Sequence, residues 1–255
     1  MRVLALCPST TETLFALGLE PAAGDGPGIV GRTKFCVEPT GRVDALPIVG
    51  GTKDPRLDRV RALAPDLVLM NEEENRREDF EALEQAGVAV HTSLPVDIPS
   101  TALAIRSIGE AVGRRSAGAE LADRLTEEAR RVHALGQARP PVRYLYLIWR
   151  GPWMAAARGT YIDALLANAG GCNVIEEEDV RYPEVDLSAL ASRGVDRVLL
   201  SSEPYPFGPQ HVEEVTAALG SIGCRVQLVD GRLLSWHGSS SIAGVDHAAR
   251  VLARE

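Results

Sequence analysis

The sequence is poor in aromatic residues and in cysteine. Aromatics make up 5% of the 255 residues, and the cysteines are four, far apart and without a CxxC spacing. This spacing argues against a structural zinc site and against a redox dithiol. We therefore expect reduced, buried thiols at Cys7, Cys36, Cys172 and Cys224.

Long apolar runs and basic runs are also missing. No stretch approaches the roughly 20 apolar residues that a membrane-spanning helix requires. The net charge of -8 would repel a phosphate backbone, which argues against nucleic acid as a partner. We expect a globular, monomeric protein without a membrane span.

Sequence motifs of common enzymes are absent as well. The chain has no HExxH, no Walker A loop, no GxGxxG and no GxSxG elbow. We therefore predict no catalytic residue, no bound metal of the protein's own and no cofactor.

Strand patterns alternate with helical patterns along the first part of the chain. The first helix carries a capping-box pattern from Ser9 to Glu12, an apolar stripe and a terminating Gly18. Alternation of this kind predicts an α/β fold with parallel sheets. The predicted strands are Val3 to Leu6, Ile29 to Gly31, Pro47 to Gly50, Leu67 to Met70 and Val88 to His91.

The same alternation restarts after Pro140 and Pro141 with a long strand pattern, Val142 to Trp149. The stretch from Ala62 to Leu69 is echoed from Ala189 to Leu200, each giving a helix, a turn, an aspartate and a buried strand. The echo is compatible with an internal duplication, and also with the alternation of helices and strands that all α/β folds share. Either way it predicts a second α/β lobe.

Between the lobes, apolar residues recur at helical spacing from Leu121 to Leu135, between Ser116 and Gly136. One uninterrupted helix of about 20 residues would span about 30 Å, too long for a hinge loop. We predict an N-terminal lobe over 1–97, a helical segment over 98–138 and a C-terminal lobe over 139–255, joined by a single long backbone helix.

Ligands of open parallel sheets bind beyond the carboxyl ends of the strands, and two lobes can present these ends across a cleft. All three tryptophans fall in or beside such loops. Aromatic side chains there suit a flat ligand. The alternative is that Trp149, Trp153 and Trp236 only close the end of a core.

Two polar loop sites allow two interpretations each. Asn71 and Glu72 are candidates for hydrogen bonds to a ligand, or part of a solvated cap in which Asn75 begins a helix. His237 is a candidate ligand to a metal centre held by the bound molecule, or a loop histidine bonded to nearby groups.

The order of several short motifs resembles a known family. Val3 to Ser9 followed by Thr11 to Gly18 is similar to the opening of class III substrate-binding proteins, the helical-backbone metal receptors. The resemblance covers nearly the whole chain and continues through Val49 to Gly51, Leu57 to Val60, Leu63 to Val68, Ala169 to Val174 and Tyr182 to Val185.

This resemblance implies two Rossmann-like lobes joined by a long helix. It also implies a protein that presents cobalamin, haem or a ferric siderophore to an ABC importer, with the cobalamin-binding branch most similar. The matching ligand positions are Phe35 or its neighbour, Asn71, Trp149 or Trp153, Tyr182 and Trp236. Asn71 departs from the aromatic residue that the branch has there. Haem or siderophore binding, and a cytoplasmic corrinoid-handling enzyme or scavenger, are the alternatives.

Two further departures concern partner and compartment. The resemblance implies one docking acid for the ABC permease in each lobe, matched by Asp58 in the first lobe but by Ser188 in the second, where Glu184 and Asp186 lie nearby. Cys172 matches a paired cysteine of the cobalamin branch, but its partner is missing. With no signal peptide visible, we expect a cytoplasmic protein, or a periplasmic or cell-surface one if a leader has been removed.

Overall fold

A computed structural model describes residues 1–176, 179–220 and 223–253. The chain divides into two compact units. Unit 1 comprises Met1–Pro95, Pro99–Arg124 and His237–Ser240, and unit 2 comprises Val96–Ile98, Leu125–Trp236 and Ser241–Glu255. Each unit has its own sheet, as predicted, which is parallel throughout in unit 1 and parallel except for one short strand in unit 2.

Unit 1 is built on a four-stranded parallel sheet in the order β2-β1-β3-β4. Its core packs apolar side chains of these strands, among them Leu4, Val30 and Val68, against neighbouring helices. The elements are β1 (Arg2–Ala5), α1 (Pro8–Ala16), β2 (Gly28–Gly31), α2 (Leu57–Ala62), β3 (Leu67–Asn71), α3 (Arg77–Gln85), β4 (Ala89–Ser93) and α4 (Ile98–Ala111).

Two local predictions in unit 1 are wrong. Pro47 to Gly50 does not form a strand, and only Ile48 makes an isolated bridge, to Arg32. The neighbouring strand β2 ends at Gly31, so a longer ladder has no partner there. The capping box does not form, since α1 begins at Pro8. Its hydroxyls instead donate backward along the helix, as Thr11 Oγ1 does to the Cys7 carbonyl at 3.0 Å.

Unit 2 has a five-stranded sheet in which β7, β8 and β9 run parallel to their neighbours and β6 is antiparallel to β5. The strand predicted at Val142 is confirmed over its full length. The elements are β5 (Val142–Trp149), β6 (Met154–Ala155), α6 (Tyr161–Asn168), β7 (Gly171–Asn173), α7 (Leu187–Leu190), β8 (Arg197–Ser201), α8 (Pro209–Leu219), β9 (Arg225–Val229), α9 (Gly231–Ser235) and α10 (Ser241–Val251).

The predicted long helix is α5 (Arg115–Gln137), which has 23 residues and contributes to both units. At 1.5 Å per residue it is about 35 Å long. Its first part meets α4 of unit 1, where Gly118 lies so close to Gly109 that a side chain would collide with backbone. Of the predicted apolar stripe only Leu135 is exposed, at 55%.

The sequence echo corresponds to one hydrogen-bond arrangement that is present in both units. In unit 1 the Arg2 amide donates to Asp66 Oδ2 at 2.7 Å, and the Asp66 amide donates to the Arg2 carbonyl at 2.8 Å. In unit 2 Arg143 and Asp196 exchange the same two bonds, at 2.9 and 2.8 Å. We call this pair of residues the arginine-aspartate clamp.

The arginine of each clamp also bonds to the end of the helical segment that precedes the aspartate. Arg2 Nη2 donates to the Leu63 carbonyl at 2.9 Å, and Arg143 Nη2 donates to the Arg193 carbonyl at 2.8 Å. The residue that follows is left-handed in both units, with φ of 44° at Ala64 and 66° at Gly194. The clamp therefore sets the turn that leads into β3 and β8.

Ala64 and Gly194 give a matched pair of stability predictions. We expect Ala64→Gly to raise the free energy of unfolding by about 1 kcal/mol, because a Cβ is strained in the left-handed region. Gly194→Ala should lower it by a similar amount, since an added Cβ finds its nearest neighbour at 3.8 Å and only the backbone is strained. Chemical denaturation of each variant measures both changes.

Ala62→Gly is the control for the first substitution. Ala62 is exposed at the end of α2, so glycine there should lower the stability by roughly 0.5–1 kcal/mol. A loss of stability in both Ala→Gly variants would show that the turn at Ala64 is not strained.

Candidate functional site

In unit 1 the carboxyl end of β3 is organised by Asn71, whose side chain is 1% exposed. Its Oδ1 accepts the amide hydrogens of Glu73 and Glu74, each at 3.0 Å, and its Nδ2 donates to the Ser93 carbonyl at 3.1 Å. These bonds fix the orientation of the amide and the course of the loop. Asn71 thus shapes the loop that presents Glu72, which is exposed.

The proposed capping role of Asn75 is wrong. The helix α3 begins two residues later, with Arg76 at the N-cap position. Asn75 is buried instead, and its side-chain amide is fully used. Its Oδ1 accepts the Asn71 amide hydrogen at 2.8 Å, and its Nδ2 donates to the carbonyls of Leu6 and Thr52 at 2.9 and 3.0 Å. One side chain therefore ties three loops at this edge of the sheet.

A hollow of about 410 Å³ lies beside this loop. Its floor is apolar, and its rim carries charges of both signs, with Arg76 paired to Asp79 at 2.8 Å. The hollow is lined by Met70, Asn71, Glu72, Asn75, Arg76, Arg77, Phe80, Glu81 and Thr92. Of the predicted site residues it brings together Asn71 and Glu72.

His237 belongs to unit 1 and lies against Asn71, with 3.0 Å between Nε2 and the Asn71 Nδ2. Since the Asn71 amide is fixed as a donor on this side, His237 Nε2 must accept and the ring proton must lie on Nδ1. Burial lowers the pKa of His237 to about 4. The ring is neutral at pH 7, and coordination of a metal through Nε2 would compete with this bond.

Phe35 is the aromatic candidate of unit 1, and its ring is 50% exposed. Lys34 Nζ lies 5.0 Å from the ring centroid, and a Cβ at Gly51 would come within 3.2 Å of Cε2. The ring is therefore held at the surface by its neighbours, where it offers a face for contact.

In unit 2 the loops after β5 and β8 form an aromatic cluster. Trp149, the last residue of β5, is 40% exposed and meets Tyr205 edge-on at 5.5 Å between ring centroids. Trp153 instead stacks on Phe207 at 6.0 Å and packs against the core, as the alternative interpretation proposed for it. Arg150 lies 5.8 Å over the Trp153 ring.

Tyr182 and Trp236 are both half-buried. The indole Nε1 of Trp236 donates to Glu203 Oε2 at 3.0 Å, and burial raises the pKa of the Glu203 carboxyl. Glu203 and Tyr205 were not among the predicted site residues, although they follow β8 directly. The aromatic pattern of that loop was the signal that could have selected Tyr205.

The predicted docking acids lie on α2 in unit 1 and just before α7 in unit 2. Asp58 is exposed in the first turn of α2. Ser188 has the equivalent place in α7, and its amide and hydroxyl both donate to Asp186 Oδ1, at 2.9 and 2.7 Å. These bonds lower the pKa of Asp186. Glu184 is exposed beside them.

Among the described residues no three His, Cys, Asp or Glu side chains are grouped so that they could hold a metal ion. Within the same residues no helix is both long and apolar enough to cross a membrane.

The family model described as periplasmic binding protein matches residues 3–218. The chain belongs to this periplasmic binding protein family. It is 27% identical over 192 residues to the vitamin B12-binding protein of Vibrio parahaemolyticus, an alignment that covers 75% of this chain and 67% of the relative.

Solved structures of periplasmic binding proteins show the same fold. The periplasmic haem-binding protein BhuT in complex with two haems is 26% identical, with a TM-score of 0.84 and 99% of both chains covered. The periplasmic vitamin B12-binding protein BtuF of Vibrio cholerae is 18% identical, with a TM-score of 0.80, 98% of this chain and 96% of the other covered.

Membership of the periplasmic binding protein family overturns the expectation of a cytoplasmic location. That expectation used the start of the chain and the missing partner of Cys172. The missing partner of Cys172 does not indicate a compartment, because a half-buried thiol of this kind can remain free.

His237 gives a prediction for stability against pH. Its folded pKa of about 4 lies below the ordinary value of 6.5, so the unfolded chain binds the proton first. The stabilisation is present above pH 6.5 and is lost as the pH falls towards 4. We expect His237→Gln to flatten the decline of the melting temperature in this range.

His133→Gln is the matched control, because His133 is exposed on α5. It should leave the slope of the wild type unchanged. An identical slope in the His237 variant would contradict the assigned neutral state.

Proposed function

We propose that this protein binds cobalamin or a related corrinoid and presents it to an ABC importer. The observation that carries the proposal is the exposed indole of Trp149 at the carboxyl end of β5. An aromatic face of this kind offers a large contact area to a planar macrocycle and loses little side-chain entropy.

The relatives support a corrinoid in particular. The Vibrio parahaemolyticus protein is named for vitamin B12, and the alignment covers 75% of this chain. Phe35 provides an exposed ring in unit 1, while the hollow beside Asn71 and Glu72 provides a polar rim. Tyr182 and Trp236 are further candidates for contact, and His237 supports the loop from behind through Asn71.

Haem is the second candidate ligand, because BhuT, solved with two haems, matches over 99% of this chain. The two ligands share a flat macrocycle but differ at the periphery, where corrinoids carry amides and haem carries carboxylates. A ferric siderophore is the remaining alternative for this fold. An enzyme acting on the same ligand is disfavoured, since the chain belongs to a family of binding proteins.

The first test is a calorimetric titration of the protein with cyanocobalamin, and a second titration with haemin. We expect saturable binding of cyanocobalamin at micromolar concentrations or below. Trp149→Ala should raise the dissociation constant roughly tenfold, because an aromatic contact is worth about 1 kcal/mol beyond the area that it buries.

Leu103→Ala controls for the loss of an exposed apolar side chain, since Leu103 lies on α4 and is 67% exposed. It should bind as the wild type does. Binding of haemin without binding of cyanocobalamin would select the second candidate.

Delivery to an importer requires a docking surface, for which we propose Asp58 in unit 1 and Asp186 with Glu184 in unit 2. In unit 1 the acid lies in the first turn of α2, whereas in unit 2 Asp186 lies just before α7 and accepts from its first turn. Both helices therefore have a negative charge at their amino-terminal end. Such rim charges steer association with a basic partner surface.

Asp58→Arg should abolish corrinoid uptake in cells that depend on this protein, while cyanocobalamin binding by the purified variant stays at the wild-type level. Asp25→Arg makes the same charge change at an exposed turn of unit 1 and should leave uptake intact. Uptake unaffected by Asp58→Arg would indicate a scavenger that works without an importer.

A further inference from the structure

The Tyr205 hydroxyl has an unusual set of neighbours. His211 Nδ1 accepts the amide hydrogen of Gly208 at 2.8 Å, so the proton of the neutral ring must lie on Nε2. This Nε2 lies 3.4 Å from the Tyr205 hydroxyl oxygen. His211 is therefore a donor towards Tyr205, and the hydroxyl oxygen accepts.

The second neighbour is also a donor. The Arg150 guanidinium holds Glu214 through two bonds, of 2.8 and 2.9 Å, and interacts electrostatically with Tyr205. A guanidinium has no acceptor atom. Neither neighbour can therefore take the hydroxyl hydrogen of Tyr205, and among the described residues no other acceptor does.

The ring of Tyr205 is held in place by aromatic contacts. Its centroid lies 4.7 Å from Phe207, 5.4 Å from His211 and 5.5 Å from Trp149. The ring is half-buried, and Trp149 beside it is exposed. The hydroxyl is therefore a positioned donor next to the aromatic face that the proposed function assigns to the ligand.

We infer that Tyr205 donates its hydroxyl hydrogen to a side-chain carbonyl oxygen at the edge of the bound macrocycle while Trp149 contacts the ring face. This inference rests on the proposed function and adds a polar contact at the edge of the ligand to the aromatic contact on its face. The acceptor is an amide carbonyl in a corrinoid and a carboxylate in haem. The His211 donor at its oxygen directs the hydroxyl hydrogen away from the protein and strengthens the hydroxyl as a donor.

The test replaces Tyr205 by Phe, which keeps the ring and removes the hydroxyl. We expect the dissociation constant for cyanocobalamin to rise about five- to tenfold, the usual effect of one hydrogen bond, with little change in melting temperature. Tyr161→Phe is the matched control. Its hydroxyl donates to Ser241 at 2.7 Å inside unit 2, so this variant should lose stability and keep its affinity.

The outcomes separate this inference from the proposed function. If the wild type binds cyanocobalamin and Tyr205→Phe binds it within twofold, the inference is wrong and the proposed function stands. If the wild type binds neither cyanocobalamin nor haemin, both are wrong. A visible phenolate-to-iron band with haemin that Tyr205→Phe abolishes would show a metal ligand in place of a hydrogen-bond donor, and would also overturn the inference.

Discussion

The arginine-aspartate clamp is the interaction on which each unit depends. It joins an arginine at the start of a central strand to the aspartate immediately before a neighbouring strand, through two bonds of 2.7 and 2.8 Å in unit 1. The parallel register follows from it, with Val3 opposite Leu67 and Tyr144 opposite Arg197. Because the clamp occupies the amino ends of these strands, the loops at their carboxyl ends are available to bind a ligand.

The two units use their carboxyl ends differently. In unit 1 the buried amides of Asn71 and Asn75 fix the loops, beside a hollow that has an apolar floor and a charged rim. In unit 2 the loops after β5 and β8 carry rings, with Trp149 outermost. A shared scaffold thus supports a rigid polar loop in one unit and an aromatic surface in the other.

Much of this scaffold could be predicted from the sequence, because the strands that matter are apolar runs flanked by turn residues. Val142 to Trp149 and the long helix were located in this way. The role of Asn75 could not be predicted, since its partners Leu6 and Thr52 are distant in sequence and an asparagine before a helix is usually a cap.

Other features depend on pairing that a single sequence does not show. Pro47 to Gly50 has the composition of a strand but finds only Arg32 as a partner. Trp149 and Trp153 look alike in sequence, and only packing distinguishes the exposed ring from the one that covers a core. The donor role of Tyr205 follows from the tautomer of His211, which depends on one backbone bond.

Hydrogen exchange with and without cyanocobalamin tests the central claim most directly, namely that the clamp ends are structural and the carboxyl ends bind the ligand. We expect slower exchange in the loops at 150–153 and 203–208, and unchanged exchange at the clamp amides of Asp66 and Asp196. Saturating ligand that protects the clamp amides and leaves both loops unchanged would contradict it.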